Sequence, residues 1–152
     1  MPHADTPQAV LDCCDWVRIS LDAATADVHH AIHGSRDFFR IVDNVALLAR
    51  QSADTLVGLN FVAEPRNYRQ IRDFAQLGKS LGVGYASIRC VFDPRHPPPQ
   101  AMRMHMRSQA AAARQFEDRD FRVFLGNFSD EYLDASADRP FPYQKGVTGG
   151  AL

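Results

Sequence analysis

Hydrophobic and polar positions alternate along DWVRISLD, residues 15–22. Val17, Ile19 and Leu21 share one face, and Arg18, Ser20 and Asp22 share the other, the period-two pattern of a β-strand. The strand is preceded by 7–14, which read as the last turns of a helix. After it Thr25 can cap a short helical turn carrying Val28, His29, His30 and His33, closed by Gly34. Ser35 offers a second N-cap. Behind it Phe38, Ile41, Val42, Val45, Leu48 and Ala49 recur at three and four residues, which predicts an amphipathic helix over 36–51. TLVGLNFVA, 55–63, predicts the next strand, with Leu59, Phe61 and Ala63 toward helices and Gly58, Asn60 and Val62 on the other side; Glu64-Pro65 ends it. Asn67 with Gln70 has the spacing of a capping box, and Ile71, Phe74, Ala75, Gly78 and Leu81 hold helical spacing up to Gly82. A third strand is predicted over 85–92, followed by the loop DPRHPPP. A helix over 100–117 has Met102, Met106, Ala110, Ala113 and Phe116 as its inner stripe, and a fourth strand covers 121–128.

Composition narrows the class without naming a chemistry. At 152 residues the chain suits one domain, since a chain of this size buries roughly 70% of its unfolded surface. Residues 1–14 are read as the remnant of a helix, 15–130 as the folded unit and 131–152, rich in turn formers, as a flexible tail; a chain that begins in mid-motif suggests truncation. A formal charge of -1 gives no electrostatic case for nucleic acid. No apolar run has the length of a bilayer span and the N-terminus lacks the order of a signal peptide, so no membrane partner and a cytoplasmic location are expected. Three cysteines, two of them adjacent, do not suit a disulfide framework, and reduced thiols are expected.

Strand and helix in strict alternation are the signature of βαβ units and a parallel sheet. The expected fold class is α/β, a partial (βα) barrel of about four parallel strands. Chemistry in such folds gathers at the C-terminal ends of the strands, where Ser20, Asp22, Asn60, Glu64, Arg89, Asp93, Asn127 and Asp130 fall. For Arg18 two roles stay open: a ligand carboxylate, or an interior ion pair with Asp22 or an acid on a neighbouring strand. His29, His30 and His33 have spacings at which two imidazoles can share a helical face, with Asp22 nearby, so a metal-dependent barrel enzyme is a minor alternative to a packed, solvated loop.

WVRISLDAATADVHHAIHG, FFRIVDNVALLAR, LVGLNFVAEPRNYRQIRDFAQLGKSLGV and YASIRCVF, taken together over about 15–93, resemble the middle of a radical SAM enzyme core. Members of that superfamily have incomplete TIM-like barrels of six strands, and the elements here resemble the fourth, fifth and sixth, so the chain would be half of such a barrel. The resemblance implies S-adenosylmethionine bound across strand ends, with Ser20 as the first candidate for its ribose or amino-acid part, followed by Arg18 and Asp22. Asn60 to Val62 would lie near adenine, and Arg89 with Cys90 would mark the far wall. The resemblance also implies a [4Fe-4S] cluster, but the family's C-x-x-x-C-x-x-C loop is absent, and Cys13 and Cys14 precede the first strand while Cys90 ends the third. The chain alone is therefore expected to be inactive: a fragment or degenerate form that supplies the cofactor's ribose and adenine side. An exposed parallel edge would lead it to pair with itself or with a complementary N-terminal half-barrel. The alternative is a non-catalytic half-barrel interaction module. Substrate is not legible.

Overall fold

The structure is a computed structural model that describes residues 6–92 and 96–128. Its elements follow the chain as α1 (Thr6–Cys13), β1 (Trp16–Ser20), α2 (Ala26–His33), α3 (Phe38–Gln51), β2 (Leu56–Ala63), α4 (Ile71–Leu81), β3 (Tyr85–Cys90), α5 (Gln100–Ala113) and β4 (Arg122–Gly126). All four strands are parallel and lie in the order β1-β2-β3-β4, an α/β sheet alternating with helices and consistent with a partial βα barrel. The predicted elements are present, with β1 ending at Ser20 instead of Asp22, and with α5 tightening into a 3₁₀ turn at Arg114–Phe116. Residues 131–152, Asp93 and Asp130 lie outside the described residues.

Register explains the core. Val17 pairs with Val57, Leu59 with Ala86, Phe61 with Ile88 and Ala86 with Val123, so every second residue of each strand meets its counterparts on one face. Leu59, Phe61, Ala63, Ala86, Ile88 and Cys90 are fully buried there. Onto them α4 lays Ile71, Phe74, Ala75 and Gly78, the i, i+3, i+4, i+7 stripe of its sequence, and Phe61 and Phe74 meet with ring centroids 4.8 Å apart. The two large side chains of the stripe, Ile71 and Phe74, are fully buried and each adds about 1.5–3 kcal/mol. α4 stops at Gly82, which takes the left-handed conformation (φ 77°) that lets its N–H reach the carbonyls of Gly78 and Lys79.

The other sheet face is uncovered among the described residues. Trp16, Leu56 and Phe124 are 59%, 50% and 56% exposed, and Arg18, Ser20 and Arg89 are exposed beside them. The buried helix stripes serve the opposite face, and Arg18 and Ser20 are exposed on this one. β1 and β4 each have one strand neighbour, so each leaves an outer edge without a ladder partner among the described residues.

Some predicted caps are made differently. Asp37 precedes α3, and the Ser35 hydroxyl binds Asp37 without capping the helix. Asn67 and Gln70 form no capping box; both reach across to the end of β1. Thr55, buried between strand and helix, holds α1 in place through a hydroxyl 3.0 Å from the Leu11 carbonyl and 2.8 Å from that of Cys14.

Candidate functional site

The C-terminal ends of β1 and β2 are joined by a hydrogen-bonded cluster centred on Asp22. Leu21 and Asp22 both direct their N–H groups at the Asn60 carbonyl, at 3.1 and 3.4 Å. Asp22 then adopts a left-handed backbone (φ 55°), tolerable for aspartate, which ends the strand and swings the carboxylate back over the sheet. Its Oδ1 accepts the Val62 N–H at 2.8 Å, and its Oδ2 accepts the Ser20 hydroxyl at 3.0 Å and lies 3.5 Å from His33 Nε2. Ser20 Oγ in turn accepts a hydrogen bond from Asn60 Nδ2 at 3.3 Å.

Beneath this cluster Asn67 is 1% exposed and fully engaged. Its Nδ2 donates to the carbonyls of Asp22 and Val62, both at 2.9 Å, and its Oδ1 accepts the Glu64 N–H at 2.7 Å. Gln70 completes the latch: its Oε1 accepts the Ala24 N–H at 2.9 Å and its Nε2 donates to Thr25 Oγ1 at 2.8 Å. These two side chains fix the β1–α2 turn to the β2–α4 turn, and with it the position of every polar group above.

Of the sequence candidates, Ser20, Asp22, Asn60 and Val62 are brought together. Arg89 is separate, on β3 beside Val62 in the register and on the same open face. Arg18 makes no ion pair with Asp22; its guanidinium lies 6.0 Å from the centre of the Trp16 ring. The interior-pair reading of Arg18 fails because Asp22 lies beyond the strand, already held by Val62, Ser20 and His33. Cys90 cannot share a wall with Arg89, since successive strand residues face opposite ways and Cys90 is buried against the helices. Glu64 is paired with Arg66 at 2.5 Å, and Asn127, also left-handed (φ 66°), donates its Nδ2 to the Cys90 carbonyl at 3.1 Å.

Of the three histidines of α2, His29 is buried and His30 and His33 are exposed. His29 donates Nδ1–H to the Leu21 carbonyl at 3.3 Å, while its Nε2 is buried without a hydrogen-bond partner. Its ring lies 4.7 Å from that of His33 and 5.8 Å from that of Phe38, centre to centre. Among the described residues no three His, Cys, Asp or Glu side chains stand close enough together to hold a metal ion.

The same geometry tests the two groups that the resemblance implies. An iron–sulfur cluster does not fit: Cys13 and Cys14 are exposed before β1, while Cys90 is buried at the end of β3, where burial pushes its thiol up to about 12 and disfavours the thiolate that iron requires. Ser20 and Asn60 keep hydrogen-bonding capacity that a hydroxyl-bearing ligand such as a ribose could use. Asn60 Oδ1 is free to accept, Ser20 Oγ keeps a lone pair, and both lie at the open end of the sheet. Asp22 and the Val62 N–H, by contrast, are spent on each other, so Asp22 positions Ser20 instead of meeting a ligand. Asn67 was missed as a site residue because N-x-x-Q before an apolar run reads equally well as a local cap; its long-range partners are set by the sheet.

No protein-family model matches the chain, and no curated protein sequence matches it.

Proposed function

We propose that this chain is the second half of a radical-SAM-type barrel, one that supplies the ribose and adenine side of the S-adenosylmethionine site and does not itself hold the [4Fe-4S] cluster. The observation that carries the reading is the Ser20–Asn60 pair, hydrogen-bonded at the C-terminal end of an all-parallel sheet whose face opposite the helices is open among the described residues. In this reading Ser20 and Asn60 bind the ribose hydroxyls, Arg89 faces the cofactor's anionic end and Val62 meets the adenine ring with its side chain. Asp22 holds the Ser20 hydroxyl in place. Bound there, the cofactor would supply an activated carbon–sulfur bond at its sulfonium centre.

The remaining wall comes from a second polypeptide, a complementary N-terminal half-barrel that pairs along the free edge of β1 and brings cysteine ligands of its own. Self-pairing of two open faces is disfavoured, because it sets the arginines of one copy against those of the other. Anaerobic iron–sulfur reconstitution of the chain, followed by a search for 5'-deoxyadenosine after adding a strong reductant and the cofactor, tests the reading. The expected result is no visible cluster absorbance and no cofactor cleavage by the isolated chain. A stable cluster with cleavage would show that the cysteines assemble after all and would overturn it.

A further inference from the structure

The open sheet face carries a second arrangement, one pleat below the strand ends and outside the Ser20–Asn60 pair. Sheet register places Arg18, Gly58, Tyr85 and Arg122 in one row across all four strands. Tyr85 lies across its neighbour: a Cβ on Gly58 would fall 2.2, 2.3 and 2.5 Å from the ring atoms Cζ, Cε1 and Cε2. Three ring atoms at nearly equal distance mean that the ring lies flat on the β2 backbone. Only glycine permits this. One π-face therefore rests on Gly58, and the other is turned to the open side of the sheet. Phe124 stands edge-on beside it, ring centres 5.7 Å apart and planes at 68°, and is itself 56% exposed.

Charge on this face is one-sided. Arg18 is one strand away from Gly58, and neither it nor Arg89 has an acidic partner among the described residues; Arg122 lies 3.6 Å from Glu117. The carboxylate at the end of β1, Asp22, is already held by Val62 and Ser20. A flat aromatic surface beside an uncompensated guanidinium is suited to one kind of ligand.

We propose that Tyr85 and Arg18 form a binding platform for a planar aromatic ring that bears a carboxylate or a phosphate. The ring stacks on the outer face of Tyr85 with Phe124 as its side wall, and Arg18 swings from Trp16 to meet the anion through two parallel N–H donors. A second copy of the chain is a poor occupant, because it would bring arginines to arginines. The platform is separate from the Ser20–Asn60 pair and stands whether or not S-adenosylmethionine binds there.

The test is titration of the full chain, followed by calorimetry and by amide chemical shifts, with indole-3-acetate as the carboxylate arm and uridine monophosphate as the phosphate arm. Indole-3-acetamide and uridine are the neutral counterparts. Saturable binding of either anion, at least tenfold tighter than its neutral counterpart and with shifts centred on Tyr85 and Phe124, supports the platform; the preferred arm identifies the anion. Tyr85→Leu and Arg18→Gln are each expected to weaken binding at least fivefold, and Arg119→Gln, in the exposed loop before β4 and paired with Asp120, to leave it unchanged. Three results would overturn the proposal: no saturable binding of either anion, equal binding of the neutral analogues, or a loss in Asn60→Ala larger than in Tyr85→Leu. Should Tyr85→Leu fail to fold, the shift map on the unaltered chain decides.

Discussion

Replacing Asn67 with alanine removes three hydrogen bonds at once. Two of its bonds go to the Asp22 and Val62 carbonyls at 2.9 Å, and the third comes from the Glu64 N–H at 2.7 Å. At 1% exposure the side chain leaves little room for water to take over. Each such bond contributes a net of about 1 kcal/mol, and a stranded buried group costs about 1–3 kcal/mol, so the loss should be about 3 kcal/mol. For a domain whose whole stability is about 5–15 kcal/mol, that is a large fraction. With a urea slope of about 2 kcal/mol/M, the midpoint should fall by about 1.5 M. Asn67→Asp sharpens the test. It keeps an acceptor for Glu64 but turns an oxygen toward two carbonyls, so at neutral pH it should be at least as damaging. Its folded-state pKa would be raised, because the protonated acid can donate where the carboxylate cannot. Stability should therefore be greatest below the ordinary aspartate pKa and be lost as pH rises from there through the raised folded-state value. Urea unfolding followed by circular dichroism measures both. A loss below about 1 kcal/mol in Asn67→Ala would refute the claim that this amide holds the ends of β1 and β2 together.

Other positions give independent checks. Asp22→Asn keeps an acceptor for Val62 and suits a left-handed backbone, so it should cost about 1 kcal/mol; Asp22→Val loses the bonds and forces a β-branched residue into φ 55°, and should cost about 3 kcal/mol or more in the same unfolding assay. Gly82→Ala should lower stability by about 1–2 kcal/mol, since alanine pays the left-handed penalty at φ 77° even though nothing crowds its Cβ. Of the three thiols, Cys13 and Cys14 are exposed and should react rapidly with a disulfide reagent, whereas Cys90 should react only on unfolding. Because burial raises the Cys90 thiol from 9.0 to about 12, the unfolded chain releases this proton first. This group's contribution to stability is whole below about pH 9 and declines as pH rises toward 12, a slope that Cys90→Ala should remove.

Much of the fold was legible because periodicity reports burial. The stripe Ile71, Phe74, Ala75, Gly78 and the alternation Leu59, Phe61, Ala63 are direct records of which atoms leave water, and both are buried as their spacing implies. Strand ends were less legible. Asp22 continues the alternation of β1, yet its backbone turns left-handed, because the carboxylate gains the Val62 N–H by leaving the strand. Side-chain bonds between residues 40 or more apart, such as Asn67 to Asp22 and Gln70 to Ala24, leave only an ambiguous local mark, here a cap-like spacing. The Tyr85 platform was hidden for the same reason. It needs Gly58 and Tyr85 side by side, and register alone supplies that pairing. Neighbours in sequence could still mislead: Arg89 and Cys90 look like one wall, but the strand turns them to opposite faces.

The decisive measurement is calorimetric titration of S-adenosylmethionine into the unaltered chain and into Asn60→Ala and Ser20→Ala. If Ser20 and Asn60 bind the ribose and a second polypeptide supplies the other wall, binding to the unaltered chain is weak but saturable, and binding to each variant is at least fivefold weaker. Binding that both variants leave unchanged, or no binding to the unaltered chain at any attainable concentration, would contradict that assignment.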